Sequence, residues 1–232
     1  MTSTVKISAF GALNADSYIV FGEWIRHFAG KRGLTPEIRS AGPYPNAEAK
    51  NAPGRPLRAD ALKDPLLRAA LCEAVAADAR ALGDDVDIRC MPCMSMIGFH
   101  DGVEQALGKP IVRLGDALVD FYWEVSRLGV IHMRPAAARV AELFASKAVT
   151  PNERQAAQLL VAEEQAKKEG NAAPVEAVMK EITESWRGEG LTHVLFARAD
   201  APLAQKHLVG ITGIRIDSYF SILAENVLQR VQ

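Results

Sequence analysis

The chain lacks an excess of charge of either sign. Across 232 residues, 27 Lys and Arg stand against 28 Asp and Glu, a net charge of -1. That balance excludes the broad basic footprint that nucleic-acid binding requires, while leaving room for a local site that takes a small anion. Long apolar runs are also missing: no window approaches the roughly 18 uninterrupted apolar residues of a membrane-spanning helix. The opening MTSTVKISAF has no apolar h-region. The expected partners therefore include neither nucleic acid nor membrane, and the expected location is cytoplasmic. Cysteine is scarce, with Cys72, Cys90 and Cys93 alone, too few for a disulfide framework and more consistent with reduced thiols. No G-x-G-x-x-G follows the first strand, and there is no P-loop and no G-x-S-x-G elbow, which disfavours dinucleotide and nucleoside triphosphate chemistry. Cys90-x-x-Cys93 has no second CxxC, and His27, His100, His132, His193 and His207 show no ligand-type pairing, so no metal is expected.

What the chain does have is 49% apolar content, ample for a core, arranged as short apolar runs alternating with longer segments of helical period. That alternation is the signature of βα units and a mostly parallel sheet. The expected strands are VKISAF, PEIRSA, VDIRCM, PIVRL, LGVIHM, THVLFA and GIRI. Helices are expected over ADSYIVFGEWIRHFAG, DPLLRAALCEAVAADARALG and GDALVDFYWEVSRLG, each ending in Gly. In the second of these, Leu67, Leu71, Ala74, Val75 and Leu82 form a face for a sheet, with Cys72 as core filler. Residues 151–190 read as two solvated helices covering a sheet. Residues 41–60, AGPYPNAEAKNAPGRPLRAD, form one long Pro/Gly/Asn-rich stretch, and loops of that length in compact domains are commonly functional.

A faint internal repeat organises the whole. VDIRCMPC leads through a helix to PIVRLGDALVDFYWEV, and THVLFARAD leads through a short segment to GIRIDSYFSILAENVL. Asp116 and Asp217 fall at matching helix starts, where Asp serves as an N-cap. The repeat implies an α/β fold of two pseudo-symmetric, Rossmann-like halves with parallel sheets and a cleft between them, divided as 1–115 plus 214–232 against 116–213. Cys93 and Arg198 occupy equivalent strand tips. Cys90 alternates with Val86 and Ile88 inside its strand and reads as core. Cys93 follows Pro92, where the chain leaves the strand towards a helix N-terminus that favours a thiolate.

Three segments, in order, resemble the aspartate/glutamate racemase family, and the likeness spans nearly the whole chain. NAPGRPLR, from Asn51 to Arg58, is similar to that family's Asn-Asn-Pro-x-x-Pro-x-Arg loop. PCMSMIGFHD sits where the family has Pro-Cys-Asn-Thr, with Ser95 in place of Thr. VLFARADAPL occupies the position of the strand leading to Gly-Cys-Thr-Glu and Pro-Leu, and IRIDS resembles the closing strand. The resemblance implies a cofactor-independent isomerase, forming a homodimer, that acts on an acidic amino acid or related carboxylate. It makes Cys93 the thiolate base or nucleophile, with Asn14, Asn51, Arg58, Ser95, Arg198 and Asp200 lining the substrate and Arg58 holding a carboxylate.

Arg198 stands in place of the family's second catalytic cysteine, Ala199 in place of Thr and Asp200 in place of Glu. Inversion at Cα needs a group that removes the proton from one face and another that delivers it to the opposite face. A guanidinium stays protonated and clamps carboxylates well, but it donates protons poorly. Three functions follow: a racemase or epimerase, a one-cysteine decarboxylase or cis-trans isomerase, and a non-catalytic carboxylate-binding protein on the same fold.

Overall fold

A computed structural model describes residues 3–11, 13, 15–41, 58–131, 140, 142–171, 173–197 and 214–231. The chain divides into two compact units, Met1–Ala117 with Leu223–Gln232, and Leu118–Ile222.

The first unit contains β1 (Ser3–Ala9), α1 (Ala15–Lys31), β2 (Leu34–Ser40), α2 (Arg58–Ala61), α3 (Pro65–Ala81), β3 (Ile88–Met91), a 3-10 turn (Met94–Phe99), α4 (His100–Leu107) and β4 (Val112–Arg113), which leads into α5 (Leu114–Phe121). All its strand pairings are parallel, in the order β2-β1-β3-β4. Val5, Ile7 and Ala9 of β1 are buried beside Cys90 and Met91 of β3, and each fully buried large side chain contributes about 1.5–3 kcal/mol. Asp64 caps α3 by accepting from the Leu66 and Leu67 N–H groups, with Pro65 at the first helical position. The buried face of α3 is Leu71, Cys72, Val75, Ala76 and Ala79. It is therefore rotated from the expected one, and Leu67 is partly exposed.

The second unit contains β5 (Leu128–Ile131), β6 (Ala148–Val149), α6 (Glu153–Glu169), α7 (Ala173–Ser185), β7 (His193–Phe196), β8 (Arg215–Ser218) and the start of α8 (Tyr219–Gln229). Its parallel sheet runs β6-β5-β7-β8. In each sheet the second strand lies outside the first, and the third and fourth follow on the other side. The two sheets thus share one topology, as the internal repeat implied. Residues 215–218, grouped with the first half in the sequence reading, hydrogen-bond to β7 as the edge of the second sheet. Asn152 and Gln155 form a capping box for α6. The inner faces of α6 and α7 place Leu159, Ala162, Met179 and Ile182 against Ile131, Val194 and Phe196.

Two expectations are corrected. The helix foreseen over 115–129 ends at Phe121: Tyr122 turns into the core and donates to Asp217 Oδ2 at 3.3 Å, while Lys147 takes the Tyr122 carbonyl. Neither Asp116 nor Asp217 is an N-cap. Asp116 lies in the first turn of α5. Asp217 lies within β8 and accepts from Arg215 at 2.8 Å, and the cap of α8 is Ser218, whose Oγ accepts from the Phe220 N–H at 3.2 Å. A strand aspartate flanked by Arg and Tyr finds stronger donors than a helix terminus offers.

Candidate active site

In the first sheet the chain leaves β1 for β2 on one side and returns to β3 on the other, so the order reverses between β1 and β3. Open parallel sheets bind ligands at such a reversal, beyond the carboxyl ends of the two strands. Among the described residues, Gly11 lies just past β1 and Cys93 just past β3.

Pro92 has no N–H to extend the ladder, and the chain leaves the sheet at Cys93. This residue keeps an extended backbone (φ -112, ψ 112) and precedes the 3-10 turn, its carbonyl accepting from the Met96 N–H at 3.0 Å. Ser95 is brought to the thiol, with Oγ 3.0 Å from Cys93 Sγ, where a hydroxyl can donate to a thiolate or accept from a thiol. Cys93 is 3% exposed. The α-helix expected after it starts only at His100, beyond a full 3-10 segment. Arg68 of α3 pins that segment, donating to the Gly98 carbonyl and lying over the Phe99 ring at 5.2 Å.

Gly11 has φ +128, a region that L side chains rarely adopt. A Cβ on it would sit 3.0 Å from Met91 Cγ and 3.4 Å from Cys93 Cβ. The backbone angle favours glycine here, and an added methyl would press on the Met91 side chain while just touching Cys93. Tyr18, on α1 and buried, donates its hydroxyl to the Gly11 carbonyl at 3.2 Å. Burial pushes its pKa well above the ordinary tyrosine range, as do Cys93, Cys90 and Asp78, with the Leu13 backbone N–H opposing. At neutral pH it is a neutral donor.

The other thiols differ. Cys90 is fully buried in β3 and its pKa is raised by desolvation. Cys72 is buried on α3 with its Sγ 3.9 Å from the Phe99 carbonyl, and burial raises its pKa while Arg68 opposes. His100 is buried too, and its pKa is lowered to about 4, first by burial and then by Arg113, with Asp101 opposing.

The structure thus brings together Cys93 and Ser95 of the expected set. Asn14, Asn51, Arg198, Asp200 and His132 lie outside the described residues, and for Arg58 the description covers only its backbone, which opens α2. Gly11 was not foreseen, although a lone glycine directly after the first strand is the local signal for a close backbone approach. In the second sheet the equivalent reversal lies between β5 and β7, whose outgoing chain, from 132 and from 198, is likewise outside the described residues. Among the described residues no group of His, Cys, Asp and Glu could hold a metal ion, and no helix is long and apolar enough to cross a membrane.

No family model matches the sequence, and no curated protein matches it. Solved structures do. An aspartate racemase homologue from Pyrococcus horikoshii OT3 superposes with a TM-score of 0.75 at 15% identity, covering 97% of this chain and 98% of that one. The fold is that of the aspartate and glutamate racemases. A putative Asp/Glu racemase from Yersinia pestis matches with a TM-score of 0.68 at 14% identity, over 98% of this chain and 99% of that one. Glutamate racemase from Francisella tularensis subsp. tularensis SCHU S4, solved in complex with D-glutamate, matches with a TM-score of 0.60 at 13% identity, over 97% and 80%. At these identities the likeness concerns the fold, and residue roles have to be argued from this chain's own chemistry.

Proposed function

We propose that this protein is a cofactor-independent isomerase of the racemase type, acting on an acidic amino acid or related carboxylate, with Cys93 as the thiolate that takes the Cα proton. The observation that carries the reading is the seat of Cys93. It stands at the sheet reversal, beside a glycine whose φ of +128 disfavours any side chain, with a hydroxyl 3.0 Å from its sulfur. Of the three thiols, it alone is on the chain just beyond a strand end, the place where α/β sheets gather their reacting groups. In this reading the Ser95 hydroxyl steadies the thiolate and Arg58 holds a substrate carboxylate as a planar bidentate pair. Asn14, Asn51, Arg198 and Asp200 complete the substrate contacts, in a cytoplasmic homodimer.

One observation favours a second reading within the same site. Arg198 takes the sequence position of the resembled family's second thiol, and a guanidinium does not deliver a proton. One-sided chemistry needs a single cysteine: decarboxylation with protonation from the Cys93 side, or thiolate addition that frees a double bond to rotate.

The deciding experiment incubates the protein in deuterium oxide with L-aspartate, L-glutamate and unsaturated dicarboxylates. It follows deuterium at Cα by mass spectrometry, enantiomers by chiral chromatography, and loss of carbon dioxide or a cis-trans change. Inversion that accompanies exchange at Cα supports the isomerase, exchange that outpaces inversion or a one-sided product supports the second reading, and Cys93→Ser should abolish either. A Cys93→Ser variant with unchanged turnover would sink both readings. Inversion as fast as exchange would show that a second acid acts, and would remove the role given to Arg198.

A further inference from the structure

The contacts around Cys93 include one residue that the proposed chemistry does not use. Tyr18 is 7% exposed, lies on α1, and spends its hydroxyl proton on the backbone carbonyl of Gly11 at 3.2 Å. That bond ties a single buried phenol on α1 to the chain just past β1. The Gly11 turn sits against the thiol-bearing residue: the Cβ position of Gly11 lies 3.4 Å from Cys93 Cβ and 3.0 Å from Met91 Cγ.

We infer that Tyr18 is a positioning residue for Cys93: its hydroxyl locks the Gly11 turn against the β-carbon of Cys93 and so fixes the direction in which the sulfur points. The inference rests on the proposed role of Cys93 as the reacting thiol. Two restraints then act on this residue from opposite sides. Ser95 holds the sulfur, and the Tyr18–Gly11 clamp holds the carbon that bears it. A phenol whose proton is committed to a carbonyl, and whose pKa is raised by burial, acts on the reaction only through the geometry it imposes. The chemistry asks for such a clamp, because a reacting atom displaced by about 1 Å loses on the order of a hundredfold in rate.

The test uses the full chain with Tyr18→Phe, which keeps the ring that fills the buried site and removes only the donor. Wild type and variant are treated with iodoacetamide, and Cys72, Cys90 and Cys93 are followed separately by peptide mass spectrometry, the two core thiols serving as internal controls. A released turn uncovers one thiol alone, so Cys93 should alkylate about fivefold or more faster in the variant while Cys72 and Cys90 stay within about twofold, the pattern of a local opening. Turnover should move the other way, with kcat for Cα exchange down about tenfold and KM within about twofold, the signature of lost transition-state geometry. Gly11→Ala attacks the same contact from its other side and also lowers overall stability, so its Cys93 labelling should rise more than that of Cys72 and Cys90.

Unchanged labelling of Cys93 in both variants overturns the inference. So does an equal rise in all three thiols, which reports global loosening. An inactive protein in which Cys93 still responds selectively overturns the isomerase reading and leaves the clamp standing. An active one whose Tyr18→Phe variant keeps wild-type kcat removes the clamp and leaves the isomerase.

Discussion

Replacing Gly11 by alanine tests the site and the fold together. The residue sits at φ +128, and holding an L residue in such a region costs about 1–3 kcal/mol. The new methyl would also stand 3.0 Å from Met91 Cγ and 3.4 Å from Cys93 Cβ. The methionine side chain is flexible and can swing, and the Cys93 distance is an ordinary van der Waals contact, so the backbone angle carries most of the cost. The expected loss is about 1–3 kcal/mol. With a urea slope of about 1–3 kcal/mol per molar, the unfolding midpoint followed by far-UV circular dichroism should fall by about 0.5 M or more. Because the strained turn adjoins the thiol-bearing residue, Cα exchange should drop further than stability accounts for under conditions where the variant remains folded. A midpoint within about 0.2 M of wild type, equivalent to a surface substitution, would refute the claim that glycine is favoured here.

In the second sheet, Gly129→Ala would bring a methyl within 2.7 Å of Trp186 Cζ3 and 2.9 Å of both Leu191 Cδ2 and Val194 Cγ2; a cost of about 1–3 kcal/mol is expected, read as a lower thermal midpoint. His100 makes stability depend on acid: its pKa is lowered from 6.5 to about 4 in the fold, so its contribution is present above pH 6.5 and is lost as the pH falls towards 4. That contribution amounts to about 3 kcal/mol, and His100→Gln should flatten this limb in denaturation measured from pH 7 to 4. Arg58→Ala should abolish the thermal shift given by the best acidic ligand while leaving the unliganded midpoint within about 0.5 kcal/mol of wild type; an unchanged ligand shift would remove Arg58 from the site.

The sequence alone determined the class of fold and the order of seven strands; the two-residue β6 (Ala148–Val149) at the edge of the second sheet was not among them. The alternation of apolar strands and amphipathic helices is local, and the repeat of VDIRCMPC against THVLFARAD carried the two-sheet plan, because strand period and helix period are properties of neighbouring residues. The element that carries each thiol was local as well, Cys72 on a helix stripe, Cys90 within a strand and Cys93 beyond a proline, whereas the burial of all three is a property of the fold. What tertiary structure decided is where separate segments meet. Only strand pairing brings Gly11 beside Cys93, 82 positions further along, and only the folded backbone, with φ +128 at that residue, shows why glycine is favoured there. The helix after β4 stops at Phe121 because Tyr122 is drawn to Asp217, 95 residues away. Asp217 itself faces Arg215 and that tyrosine, leaving the cap of α8 to Ser218. A side chain with two polar options takes the stronger, and which is stronger depends on groups that are distant in sequence and adjacent only after folding.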